Sequence, residues 1–414
     1  MTDRYDVVVV GAGIAGSALA SVLARAGLQV VVLEQQTTYK DRVRGETITP
    51  WGVLEANRLG LTGTLLDAGG EYATTFVGYD ENLAPVAAEA APTPVAMFAP
   101  GADGQLNVGH PEASEALSRR AEADGATVRR GVADVKVAFG RQPSVSFSDG
   151  DGEADHEVSC RLVVGADGRT SAVRRQAGIT LEERPAVTYG AGLLVRADSG
   201  FTGKNTLGTE GDVHFLAFPR QGDLTRLYLM VDITRQPEFT GPQRLEHFRE
   251  AFGRVRSFPA AATLASGEAA GPAGGSPMTD SWTVEPPVVA GAVLVGDAAG
   301  WNDPIIGQGL AIALRDARSV GEVLTAGEDW SPDAFAGYVE ERRERMRRLA
   351  ISARISTEMR CTFTPEGRER RGRWSVAFRT DPVLLGQVGA MLGGPEVFPA
   401  ESFTDDAVAA ALAV

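Results

Sequence analysis

The 414-residue chain is longer than one minimal domain needs and can bury a sizeable core, which predicts two interleaved domains. Its 43% apolar and 23% charged residues are those of an ordinary soluble protein, and a formal charge of −14 argues against a nucleic-acid or anionic-membrane partner, since both need a basic face. Cys160 and Cys361 lie 201 positions apart and match no metal or disulfide spacing, so no metal site and no oxidising compartment are expected.

Val7 to Ala24 is uncharged and about as long as a membrane span. Gly11, Gly13 and Gly16 interrupt it, however, and Asp3 and Asp6 precede it where a signal peptide would carry positive charge. It reads instead as a strand, a turn and a helix of a cytoplasmic protein: strand Tyr5–Val10, helix Ser17–Ala26, then a second strand Gln29–Leu33 closing on Glu34. Pro111–Asp124 predicts a helix, and Val132–Phe139, Ser144–Phe147 and Ser159–Val164 predict strands. From Thr188 to Ile233 alternating stretches predict an antiparallel sheet with one covered face. Residues 261–279 read as a small-residue connector, "GAVLVGD" as one more buried strand, and Gln308–Ala326 as a helix with apolar positions at 310, 314, 317, 320 and 324. The tail is helical around Pro332–Ser356, with no prediction beyond. "EERRERMRR" (340–348) reads as a solvated helix face and "GRERRGRW" (367–374) as a surface loop.

Three motifs carry chemistry. Gly11-Ala-Gly13-Ile-Ala-Gly16 follows a strand and opens a helix, with Glu34 eighteen residues after the third glycine. That context suits a dinucleotide: a tight turn, close backbone approach to a pyrophosphate, helix N–H groups facing its charge, and an acid for ribose hydroxyls. "VVGADGRTSAVRR" (163–175) places Asp167-Gly168 after a strand, which suits either a ligand contact or a plain strand-to-helix turn. "GDAAGWNDPIIGQGL" (296–310) repeats the pattern. Asp297 is placed to accept hydrogen bonds from an extended cofactor chain, and Gly307 and Gly309 let backbone approach a flat ring. The helix at Gln308 turns its positive end toward whatever binds there.

Taken in order, these motifs resemble the class A flavoprotein monooxygenases (aromatic hydroxylase-like, single-component enzymes) over roughly residues 5–330. The resemblance implies an α/β fold, a Rossmann-type FAD-binding domain with an inserted antiparallel-sheet substrate domain and a helical C-terminal tail. The implied boundaries are 1–70, 100–178 and 285–330 for FAD, 71–99 and 179–284 for substrate, and 331–414 for the tail. By position it assigns FAD contacts to Gly11, Gly13, Gly16, Glu34, Asp167, Gly168, Gly296, Asp297, Pro304, Gly307, Gln308 and Gly309, with Arg44 as the basic contact. His110 stands where the family has Arg or Gln, and Gly300-Trp301 where it has His. "RGETITP" (44–50) and "GLAIALRDA" lean toward the halogenase and geranylgeranyl-reductase-like relatives. The halogenases' Trp-x-Trp-x-Ile-Pro segment is missing, and lysine occurs at 40, 136 and 204 alone, which argues against halogenation.

No Ser-His-Asp or paired-carboxylate site stands out, as expected where a cofactor carries the chemistry. The implied reaction is insertion of one oxygen atom from O2 into an apolar, aromatic or polyketide-like molecule through a C4a-(hydro)peroxyflavin, with NADPH or NADH binding transiently. The same scaffold also fits an FAD-dependent reductase, dehydrogenase or halogenase, and more remotely a non-catalytic flavin-binding protein. Trp51, Phe98, Phe215, Phe218, Tyr228 and Trp301 are the pocket candidates, Phe76, Tyr79, Met97 and Met230 standing behind them. His214 is the candidate catalytic base.

Overall fold

The computed structural model describes residues 3–43, 45–150, 155–197, 200–201, 203–377 and 380–413. A six-stranded sheet runs in the order 288–289, 292–294, 162–165, 7–10, 30–34, 127–130, parallel apart from its first pair. Val7–Val10 is valine throughout and buried on both faces, because helices cover both sides of a parallel sheet. One cover is the helix Ile14–Arg25, against which Gly309–Ala326 packs with Leu310, Leu314, Ala317, Val320 and Leu324 all buried. Each buried leucine or valine contributes about 2 kcal/mol of transfer free energy.

An eight-stranded sheet, essentially antiparallel, forms a second layer. Thr188–Arg196, Leu224–Asp232, Val213–Pro219 and Lys204–Glu210 pair in that order, and Thr75–Asp80 adds in parallel to Lys204–Glu210. Helices between 236 and 266 cover its outer face. Among the described residues no helix is long and apolar enough to cross a membrane.

The structure departs from the sequence reading in four places. The run Ser159–Val164 is split: Asp155–Ser159 pairs with Ser144–Asp149, and Leu162–Gly165 enters the parallel sheet. Residues 261–279 are not a bare connector, since Ala261–Ser266 is helical and Gly274–Pro277 pairs with Thr188–Arg196. The 367–374 segment lies within the helix Pro365–Ala377, where Arg371 is buried and pairs with Asp80 and Glu81.

The 340–348 run is the largest departure. It belongs to the helix Ala336–Arg360, and Arg343 and Arg347 do form exposed i,i+3 pairs with Glu340 and Glu344. Arg342 and Arg345 are instead buried against Asp316, at 3.0 and 2.7 Å. Arg342 also donates to the carbonyls of Gly296, Ala299 and Gly300, and Asp316 accepts from Gly296 N at 2.8 Å. Composition reads such a run as surface; only the partners supplied by the preceding helix and turn make burial affordable.

Burial by itself would raise the Asp316 carboxyl, but Arg342 and Arg345 more than offset this and hold it below the usual carboxylate range. Its stabilisation is therefore fully present above the unfolded value near ~3.9 and lost as pH falls through the lower folded value. Asp316→Asn is expected to cost about 3–5 kcal/mol at pH 7, read as a lower urea midpoint at unchanged slope. The gap to wild type should narrow in acid.

Candidate active site

The three motifs converge because their strands are neighbours in register. Gly165 pairs with Val10 on one side and Leu294 on the other, and Val10 pairs with Leu33. The ladder continues past the strand ends through Gly11 N to Leu33 O, Ala166 N to Val10 O and Val295 N to Gly165 O. All three loops therefore leave the carboxyl edge of one parallel sheet, where α/β folds place their ligands.

Gly11 has φ +104°, and a Cβ there would lie 2.4 Å from Ala166 O; one on Gly16 would lie 2.0 Å from Gly11 O. These two glycines close the strand–helix packing. A Cβ on Gly13 would meet nothing within 4 Å, so this middle glycine faces open space. Gly13 caps the helix Ile14–Arg25 without a side-chain hydrogen bond, and its first turn carries no acid. The positive helix end thus stays available to an anion. Glu34 is buried, with Oε2 accepting from Ala12 N at 2.7 Å and Oε1 from Gln36 N at 2.8 Å. Each oxygen keeps a second lone pair for a hydroxyl donor.

Beside Glu34 stand two residues that no motif announced. Tyr39 donates to Ala12 O at 2.6 Å, and Arg130, the cross-strand partner of Glu34, lies 5.2 Å over its ring. Burial, then the Glu34 charge, push the Tyr39 phenol up to about 12. Strand pairing across ninety-odd residues is what brings Arg130 here, so spacing could not reveal it.

Asp167 is occupied by its own turn. Its carboxylate accepts from Ser171 Oγ at 2.5 Å and from the N–H groups of Ala172 and Val173, capping the helix Ala172–Gln176. Gly168 follows at φ +74° with nothing near its Cβ position. Asp297 pairs with Arg169 at 3.3 Å, and Arg169 sits 5.2 Å over the Trp301 ring. Arg44 lies outside the described residues; the next residue, Gly45, packs on the His110 ring, where a Cβ would approach Cδ2 to 2.7 Å.

Gly296 is left-handed at φ +59°. The departure at 300 has a local reason: Gly300 has φ +100°, and its Cβ position lies 2.8 Å from Ser281 O. The strand Asp280–Thr283 fills the space a histidine side chain would need. Asp303 caps the turn Pro304–Ile306 through Ile305 N at 2.9 Å, and burial pushes its carboxyl up to about 6. Gly307 is left-handed at φ +63°, and Gly309 opens the long helix. Gln308 is a hub: Oε1 accepts from Trp51 Nε1 at 2.7 Å, while Nε2 donates to Ile306 O and Met391 O. Around this loop the buried atoms Thr47 Oγ1, Thr49 Oγ1 and both side-chain polar atoms of Asn302 have no hydrogen-bond partner among the described residues. Unpaired buried donors and acceptors are costly, and a flat heterocycle with a polar edge would satisfy them.

Next to the loop lies an apolar cluster between the inner face of the eight-stranded sheet and the C-terminal helices. Trp51, Leu216, Met230, Met278, Ile305, Ile306, Met346 and Met391 are buried in it, with Phe218 and Tyr228 packed against them. Glu46, Arg220 and Arg226 are buried together at its sheet side, Arg226 lying 3.0 Å from Glu46 and 2.5 Å from Asp41. The other aromatic candidates are elsewhere. Phe215 points to the outer face and stacks on Phe258 at 5.7 Å, Tyr79 also packs on Phe258, and Met97 is 65% exposed. Phe98 is buried with its carbonyl against Gly393 and is not part of the cluster. Trp301 is buried outside it, donating from Nε1 to Thr279. His214 lies on the cluster side of its strand with Nδ1 2.9 Å from Thr209 Oγ1. Among the described residues no cluster of side chains could hold a metal ion.

Gly300→Ala is expected to destabilise the protein by about 1–3 kcal/mol, from the left-handed backbone and the Ser281 contact, read as a lower urea midpoint.

Comparison with known proteins agrees with this geometry. Residues 4–353 match the FAD binding domain family. The 1H-pyrrole-2-carbonyl-[peptidyl-carrier protein] chlorinase of Pseudomonas fluorescens is 28% identical over 82% of this chain and 80% of its own. The menaquinone reductase of Mycolicibacterium smegmatis is 27% identical over 85% of each chain. The p-nitrophenol 4-monooxygenase structure from Pseudomonas putida superposes with a TM-score of 0.81 at 20% identity, over 95% of this chain and 99% of that one. A sheet edge shaped for a dinucleotide, unpaired polar atoms beside it and a family match over most of the chain lead to one assignment: the chain belongs to the FAD binding domain family.

Proposed function

We propose that this protein is an FAD-dependent, NAD(P)H-consuming monooxygenase of an apolar, aromatic or polyketide-like small molecule. The observation that carries this reading is the family match over residues 4–353 together with the apolar cluster packed directly beside the Pro304–Gly309 loop. FAD, when bound, supplies electron transfer from the nicotinamide and activation of O2; the side chains place it and exclude water. In this reading the first turn at Gly13 binds the pyrophosphate, Glu34 the adenosine ribose, and Asp297 the ribityl chain once Arg169 yields. Thr47, Thr49 and Asn302 hold the polar edge of the ring. The N-terminus of Gly309–Ala326 stabilises negative charge on it.

The domain division follows: 1–70, 100–178 and 285–330 for FAD, 71–99 and 179–284 for substrate. Residues 331–414 form the C-terminal region and join the apolar cluster through Met346 and Met391. A second reading, an FAD-dependent reductase, is favoured by the menaquinone reductase relative, which is matched over 85% of both chains.

Purified protein is expected to show flavin absorbance, or to acquire it with added FAD, and to consume O2 with NAD(P)H when a substrate fits. Failure to bind FAD overturns both readings. Substrate-dependent NAD(P)H oxidation that proceeds without O2 selects the reductase. Asp297→Ala is expected to weaken FAD retention about tenfold or more, measured by equilibrium dialysis, on the loss of a charge-assisted hydrogen bond; unchanged affinity would remove Asp297 from the site.

A further inference from the structure

The turn that carries Asp297 has a weak point at each end. Gly296 has φ +59° and Gly300 φ +100°, the left-handed region, in which glycine leaves the neighbouring peptides free to turn. A rotation at either glycine would re-aim the Asp297 side chain between them. A binding group has to be held within about 0.5 Å of its productive position, so such freedom would weaken any contact that Asp297 makes.

One side chain from far along the sequence closes both weak points. Arg342 donates from Nη2 to Gly296 O at 3.1 Å and to Gly300 O at 3.0 Å, and from Nη1 to Ala299 O at 2.7 Å. The first and last residues of the turn are therefore tied to a single nitrogen. The third nitrogen, Nε, donates to Asp316 at 3.0 Å, which stops the planar group from rotating. Tyr338, one helical turn earlier, donates to Leu294 O on the strand that leads into the turn. Tyr338, Arg342 and Arg345 are spaced i, i+4, i+7 and share one buried face of Ala336–Arg360. Arg345 supplies the contrast. It is as deeply buried and meets the same Asp316, at 2.7 Å, but its other hydrogen bonds go to Glu341.

We infer that Arg342 is a positioning residue of the cofactor site: its guanidinium ties Gly296 to Gly300 and so holds Asp297 in the orientation that FAD requires. This rests on the reading that Asp297 faces FAD. The helix Ala336–Arg360 is thereby a working part of the FAD site without touching the cofactor. The coupling is reciprocal, so FAD held by the turn also tightens the helix behind it.

The test measures FAD affinity by equilibrium dialysis and the urea midpoint on the same samples of full-length protein. Arg342→Lys keeps a charge beside Asp316 but replaces the planar fork with one ammonium, which cannot hold all three carbonyls and the carboxylate at once. FAD is expected to bind about tenfold more weakly, the worth of a charge-assisted hydrogen bond. Arg345→Lys is expected to lower the urea midpoint as well, yet to leave FAD affinity within about twofold. A merely structural role would weaken FAD binding alike in both variants. Hydrogen exchange on wild type carries the test if Arg342→Lys does not fold: adding FAD should slow exchange at 296–300 and at 338–346, and leave 405–413 unchanged. FAD affinity in Arg342→Lys within twofold of wild type, an equal loss in Arg345→Lys, or protection confined to 296–300 would overturn the inference. Asp297→Ala separates the two readings. If it weakens FAD binding and Arg342→Lys does not, the role of Arg342 fails alone; if neither does, the turn itself leaves the FAD site.

Discussion

The buried carboxylate of Asp316 is the constraint on which the candidate site depends. It sits between two arginines of the helix Ala336–Arg360 and accepts the backbone N–H of Gly296. A single buried charge would be intolerable, but this one has two cations and a backbone donor, and Arg342 spends its remaining N–H groups on three carbonyls of the 296–300 turn. Tyr338, on the same helix, donates to Leu294 O at 2.7 Å. The turn that carries Asp297 is therefore held in place from behind by the C-terminal region, far along the chain. The 296–300 turn, Gly-Asp-Ala-Ala-Gly, offers only the methyls of Ala298 and Ala299 to the core, and the arginine clamp holds its backbone.

With that turn fixed, the parallel sheet does the rest. Three loops leave adjacent strand ends, and each holds its shape by a different device: close packing at Gly11 and Gly16, a carboxylate cap at Asp167, and the arginine clamp at Gly296–Gly300. The Asp167 carboxylate is committed to the start of the local helix, the turn role that the motif allowed beside a ligand contact. Arg169, two residues on, reaches Asp297 and Trp301, so the second and third motifs are joined by an ion pair and a ring contact.

The antiparallel sheet separates an aromatic face from one that carries buried polar groups. Its outer face is an aromatic core of Phe215, Phe248, Phe252 and Phe258, which makes no demand on chemistry. Its inner face carries buried polar groups, Arg220 and Arg226 with Glu46 toward one end and Thr209 with His214 at another, around a methionine-rich cluster. One residue of register decides the assignment: Phe215 and His214 are adjacent in sequence and lie on opposite sides of the sheet.

The sequence by itself determined the first βαβ unit, the cofactor class and the order of the three loops. Those depend on short-range requirements, glycine where backbone must approach and valine where a strand is covered twice, that few other residues satisfy. The heptad-like pattern of Gly309–Ala326 was legible for the same reason, since one buried stripe is a local property. Partnership was not legible. Arg342 and Arg343 are neighbours of identical composition, yet one is buried on Asp316 and the other exposed with Glu340. Likewise Phe215, Phe218 and Tyr228 of the sheet all stood as pocket candidates, whereas which face each occupies depended on a register set by partner strands. Tertiary structure decided these because burial of a charge or the facing of a side chain depends on what is brought opposite it, and that partner lies tens to hundreds of residues away.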